Sequence, residues 1–281
     1  MALMTLKEPE PVLVADRFPA LLDTLLNLLD GLSDEEWQRP VHGWEWTVKD
    51  LAQHLLGDEI NILSARRDGF SGAHIPVNTW DELVVLINRH NQNWVEATRR
   101  MSPRVVCDLL RLTGDQANET FRAMEPYTIV GPVNWAGPDP APLWLDVARE
   151  FTERWHHQQH IRDAVQKPGC TEPFYLAPVL AAFAYALPET FRQVDAPEGT
   201  GITLTVTGEA GGIWSVVRAA DTWQFYRGRP EQPQAEVELP QEIAWRLFTR
   251  GLSKTDARSH ARLHGDPRLA DKVLDTVAII A

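Results

Sequence analysis

Residues 143–165 read LWLDVAREFTERWHHQQHIRDAV, and this stretch decides the architecture of the first half of the chain. Trp144, Ala148, Phe151 and Trp155 recur at intervals of three and four, the period of an amphipathic helix. Beside them runs a second stripe of Asp146, Glu150, Glu153, His157 and His160. A helix turns ~100° per residue, so these five positions return to one narrow face. Lys167-Pro168-Gly169 then stops the helix.

Upstream the same period recurs. Ala15, Phe18, Leu21, Leu22, Leu25, Leu28 and Leu29 mark one apolar stripe. A second helix opens at the N-cap residue Thr47 and carries Val48, Leu51, Ala52, Leu55, Leu56, Ile60 and Leu63. A third follows Asn78-Thr79 with Trp80, Leu83, Ile87, Asn91 and Trp94, and a fourth starts near Ser102-Pro103, with Pro at a first helical position. A Pro- and Gly-rich loop over 126–142 precedes the helix quoted above. Four or five such helices with short links predict an all-α, up-and-down four-helix bundle.

Downstream the period changes. After a helix-like segment over 174–192, Ile202, Leu204 and Val206 alternate with Thr203, Thr205 and Thr207, which is strand period. Gly211-Gly212 and Asp221-Thr222 separate further strands over 213–219 and 223–227, a meander joined by tight turns. A strand over 235–239, a helix over 240–250, another strand over 257–264 and a last helix opening at Pro267 complete an α+β pattern. The chain therefore divides into a helical bundle domain, 1–168, and a smaller α+β domain with a connecting helix, 169–281.

Composition bounds the function. The chain has 281 residues, 44% of them hydrophobic and 23% charged, enough for a sizeable core. Its net charge of −12 disfavours attraction to nucleic-acid phosphates or anionic lipid, so neither nucleic acid nor membrane is an expected partner. Stretches such as 21–32 are interrupted by Asp23, Asn27 and Asp30, short of the ~20 apolar residues of a membrane span. Residues 1–11 carry Lys7 and Glu8 and no apolar run, which reads as cytoplasmic. Cys107 and Cys170 are too few for a disulfide framework or a zinc finger, and Cys107, among Val105, Val106, Leu109 and Leu110, reads as core. There is no P-loop, no Gly-x-Gly-x-x-Gly after a strand, no Gly-x-Ser-x-Gly elbow and no His-Glu-x-x-His.

The polar stripe carries the chemistry. Glu153 and His157, four apart, can converge on one point, and a carboxylate with an imidazole makes two of the three protein ligands of a typical catalytic zinc site. Taken alone, such a stripe reads first as a solvated charged face with local Glu–His pairing, which is common on bundle helices. Three features favour the metal reading: Phe151 and Trp155 on the same helix of a Trp-rich bundle, three imidazoles at His156, His157 and His160, and a third candidate ligand, His54. His54 borders the apolar face of the second helix; Asp50 and Asp58, one turn to either side, are candidates to take its second ring N–H and fix the tautomer. His156, one residue off the stripe, is expected to face outward.

Gly43-Trp44, then Trp46-Thr47-Val48-Lys49-Asp50-Leu51 and His54, resembles the first metal-ligand helix of the DinB-like bundle superfamily, and more closely its mycothiol-dependent maleylpyruvate isomerase branch. Glu153-x-x-x-His157 matches that family's second and third ligands, and His160-Ile161-Arg162 follows at the spacing where relatives carry Gln or His. The strand at Ile202, Trp223-Gln224-Phe225-Tyr226-Arg227-Gly228-Arg229 and His264-Gly265-Asp266-Pro267 resemble that branch's sterol-carrier-like C-terminal domain.

The resemblance implies a divalent metal, Zn2+ in the first place with Ni2+ as the other candidate, held by His54, Glu153 and His157. His160, Asp58 and Glu150 would lie around these ligands. It also implies a low-molecular-weight thiol, mycothiol or similar, with a small-molecule substrate that is isomerised or conjugated. Arg227 and Arg229 are the candidates for a basic patch that contacts acidic groups of substrate and thiol; surface arginines offsetting net charge are the competing reading. Two other functions stay open: a ligand carrier with a structural or vestigial metal site, and a metal-hydroxide hydrolase that needs no thiol. A monomer or homodimer is expected.

Overall fold

The computed structural model describes residues 6–43, 45–70 and 79–279. Trp44 of the Gly43-Trp44 motif, Asn78 before the third helix and the first residues of the N-terminal segment lie outside the described residues.

In chain order the elements are α1 (Phe18–Asp30), α2 (Asp34–Trp37), α3 (Val48–Ile62), α4 (Trp80–Thr98), α5 (Pro103–Ala123), β1 (Ile129–Val130), β2 (Ala141–Pro142), α6 (Leu143–Val165), α7 (Pro173–Ala184), α8 (Leu187–Phe191), β3 (Gly201–Thr207), β4 (Gly212–Ala219), β5 (Thr222–Arg227), β6 (Ala235–Pro240), α9 (Gln241–Phe248), α10 (Lys254–His260), β7 (Arg262–Gly265) and α11 (Pro267–Val273). A helical region is thus followed by a mixed five-stranded sheet with helices.

The helix starts follow from local chemistry. Thr47 Oγ1 accepts from the Asp50 backbone N–H while Asp50 Oδ2 accepts from that of Thr47, a capping box that sets where α3 begins. Ser102 caps α5 ahead of Pro103.

Two compact units form, and they are not consecutive in sequence. The helical unit contains residues 14–125 and 150–170. In it α3 packs on α4 and α5, and α1 on α5. Leu22, Leu25, Leu29, Leu51, Leu55, Leu56, Val95, Val106, Leu110 and Ile161 form one continuous core. The later turns of α6 are tied to α1 by Gln158 Nε2, which donates to the Leu21 carbonyl at 3.2 Å, and by Thr24 Oγ1, which donates to Gln158 Oε1 at 3.0 Å.

The other unit gathers, among the described residues, 6–13, 126–149 and 171–279. Packing therefore places 6–13 and the loop over 126–142 with the C-terminal segment, whereas a cut of the sequence at 168 assigns them to the helices. The strand order is β5-β4-β3-β6-β7, with β3 and β6 parallel and the other pairs antiparallel. Ile202, Leu204 and Val206 of β3 are buried with Val216, Val237, Leu239, Phe183, Trp245 and Phe248.

Two sequence expectations are revised here. Residues 254–260 are helical, not strand, because Ser253 Oγ accepts from the Asp256 N–H and starts α10; only Arg262–Gly265 pair as β7. The apolar segment 174–192 is two helices, interrupted at Tyr185 and Ala186, and Leu176, Val179, Leu180, Phe183 and Phe191 are buried among the core side chains of this unit.

Candidate metal centre

Within the helical unit, α3 brings His54 to the stripe that α6 carries. His54 Nε2 lies 3.2 Å from His157 Nε2 and 3.7 Å from Glu153 Oε1, and His157 Nε2 lies 2.8 Å from the same oxygen. One donor atom from each residue falls within 4.8 Å of the others. With bonds of ~2.0–2.2 Å to zinc, tetrahedral ligand atoms stand roughly 3.3–3.6 Å apart, so a modest adjustment seats an ion here.

The donor set itself argues for a cation. Two imidazole nitrogens 3.2 Å apart, both turned to Glu153 Oε1, form a cluster in which one cation can take the place of the protons they would otherwise direct at the carboxylate. Two neutral nitrogens and a carboxylate are a set suited to zinc, and the residues present fit the group.

Burial decides between the two readings of the stripe. Glu150 is 7% exposed, His157 3% and His54 4%, so this face is interior and not a solvated one. Glu153 is the accessible member, its side chain one-third exposed at 34%. Burial opposes its charge, yet His157 and His54 beside it hold its carboxyl well below the usual range. Burial likewise opposes a charge on His54, but Asp58 and Glu153 outweigh it and raise its pKa.

The surrounding residues resolve as follows. Asp58 Oδ2 stands 3.4 Å from His54 Nε2, the nitrogen turned to the triad, so Asp58 does not take the second ring N–H as the sequence reading expected. Asp50 is occupied elsewhere, by the Thr47 cap and by Arg99 Nε at 3.0 Å. His160 is half-buried, its ring centroid 5.6 Å from that of His157, and it is outside the three-residue group. His156 faces inward, 5% exposed with its ring 4.1 Å from that of His160, and the expectation of an outward side chain is corrected. Glu150 accepts from Arg154 Nη1 at 2.7 Å.

Arg227 and Arg229 belong to the sheet unit, where each is held by an acid: Arg227 donates to Glu10 at 2.7 Å and Arg229 to Glu236 at 2.6 Å.

One feature escaped sequence reasoning. Arg154 is buried beside the stacked rings of Phe18 and Phe121, 5.6 and 5.4 Å from their centroids, and with Glu150 and Glu59 it forms an interior layer of ionisable groups. Glu59, Asn118, Arg154 and Gln158 line a cavity of about 20 Å³, room for about one water. The Glu150–Arg154 spacing of four was the available signal, but such a pair on a helix is ordinarily a surface ion pair.

Comparison with known proteins agrees with this geometry. The family model described as mycothiol maleylpyruvate isomerase N-terminal domain matches residues 18–162, which include His54, Glu153 and His157. Two solved structures share the fold: the mycothiol-dependent maleylpyruvate isomerase, at TM-score 0.52 and 12% identity, and a histidine-to-alanine mutant of such an isomerase, at 0.51 and 11%. Each alignment covers 83% of this chain and 86% of the solved chain. A search of curated protein sequences found no match.

Proposed function

The chain belongs to the mycothiol maleylpyruvate isomerase N-terminal domain family, and on that footing we propose that it is a divalent-metal enzyme that uses a low-molecular-weight thiol, mycothiol or similar, to isomerise or conjugate a small electrophilic substrate. The observation that carries this reading is the buried convergence of His54, Glu153 and His157 on one point. A zinc ion there supplies Lewis acidity, which lowers the pKa of a thiol or water in its open position.

This chain's residues prepare that chemistry. His54 and His157 offer ring-nitrogen donors from two helices, and Glu153 supplies a carboxylate that its imidazole neighbours keep ionised. The partial exposure of Glu153 leaves a way in for a small molecule, which supports a catalytic site over a closed structural one. Phe151 and Trp155, both fully buried, fix the helix that presents two of the three ligands.

The test is metal analysis of the purified protein beside His54→Ala and His157→Ala, followed by a Co2+-substituted sample titrated with thiol. The expected result is near one equivalent of metal in the parent, little in either variant, and a sulfur-to-cobalt charge-transfer band on adding thiol. Equal metal in all three proteins overturns the metal centre. A metal-loaded protein with no thiol band favours the metal-hydroxide hydrolase.

A further inference from the structure

Helix α3 offers the centre two side chains. His54 and Asp58 are one turn apart on one face, and Asp58 Oδ2 comes within 3.4 Å of His54 Nε2. That nitrogen is also the neighbour of His157 Nε2 and Glu153 Oε1 on α6. A carboxylate that merely fixed the tautomer of a ligating histidine would stand at the other ring nitrogen. Asp58 stands instead where the metal-facing lone pair points.

Asp58 Oδ2 is shielded from solvent and receives no hydrogen bond. A buried carboxylate oxygen without a donor is costly, and a native structure keeps one only where something else satisfies it. Arg154 attracts it as a charge in the same interior layer, but the hydrogen bonds of its guanidinium go to Glu150. Charge points the same way. Two neutral imidazoles and one carboxylate leave a dication with a surplus positive charge in the interior, and a second carboxylate cancels it.

We infer that Asp58 is the second carboxylate of the metal centre, placed to balance the ion's remaining charge and to accept a hydrogen bond from whatever occupies its open position. This rests on the metal reading given above.

The experiment measures Zn2+ affinity by competition with a chromophoric chelator for the parent protein and for Asp58→Asn, which keeps the shape and removes the charge. A zinc-soaked crystal of the parent gives the distance from the ion to Asp58 Oδ2. The expected result is affinity roughly 10- to 100-fold weaker in Asp58→Asn at unchanged circular dichroism. In the crystal, the ion stands within about 5 Å of the oxygen, the span of one metal–oxygen bond and one hydrogen bond. A parent that binds tightly and an Asp58→Asn variant that binds equally well overturns the role of Asp58 and leaves the centre standing. A parent that binds no zinc removes the centre and this inference with it. Should Asp58→Asn not fold, the crystal decides, and an ion more than about 5 Å from the oxygen overturns the assignment.

Discussion

Glu59 contributes a fall in the stability of the apo protein as pH rises, and replacing it with Gln should remove that contribution. Its side chain is buried on α3, accepts from Thr113 Oγ1 at 2.5 Å, and faces Arg154 on α6, Asp115 on α5 and Asp58 on its own helix. Burial is the dominant influence and pushes its carboxyl from 4.5 up to about 7, with Arg154 and Thr113 opposing and Asp58 and Asp115 adding to the rise. The folded state therefore prefers the protonated acid. Below pH 4.5 both states are protonated and nothing is lost; as pH climbs through the range up to about 7 the unfolded chain ionises first and stability declines. At ~1.4 kcal/mol per pH unit the full loss is about 3 kcal/mol, of which about 2–3 kcal/mol falls between pH 5 and pH 8. Urea unfolding of the parent and of Glu59→Gln, at pH 5, 6, 7 and 8 with chelator present, reads this group together with its coupling to Asp58, Asp115 and Arg154, because residues that do not interact with it cancel in the difference. The variant should gain on the parent by that amount across the range. A difference that stays flat, or that shifts in favour of the parent with rising pH, refutes the reasoning.

Three further perturbations follow from local geometry. In Gly57→Ala the new methyl would lie 2.7 Å from the Trp94 indole nitrogen, which donates to the Gln53 carbonyl, so urea unfolding should show a loss of about 1–3 kcal/mol despite the better helix former. Thr47→Ala removes the cap that starts the helix bearing His54 and should cost about 1 kcal/mol, read as a lowered melting temperature with metal removed. Cys107 is buried with its thiol pushed up to about 11, and Cys170 is buried too; a thiol reagent should label neither in the native protein and both after unfolding in urea.

Much of the architecture was written in short-range pattern. The caps at Thr47 and Ser102, the long helix ended by Pro168-Gly169, and the alternation of Ile202, Leu204 and Val206 each depend on a few neighbouring residues. The same is true of Glu153 and His157, whose spacing of four puts them on one face of any helix that contains them. The strand expected near 257 failed because one side-chain cap, Ser253 to Asp256, turned that segment helical.

What packing alone decided begins with the face of α6 that is interior. His156, Gln158 and Gln159 are buried although the sequence allowed a solvated surface; Gln158 bonds to α1 and Gln159 accepts from the Cys170 backbone N–H. It also decided that residues 6–13 and 126–149 join the sheet unit, and that Arg227 and Arg229 end on Glu10 and Glu236. The clearest case is the centre itself. Helical period tells which side chains share a face, but which nitrogen of His54 meets His157, and that Asp58 meets the same one, depends on how α3 and α6 cross 103 residues apart in the chain. Periodicity carries no information about that crossing; it is set by close packing of the apolar stripes on their other faces.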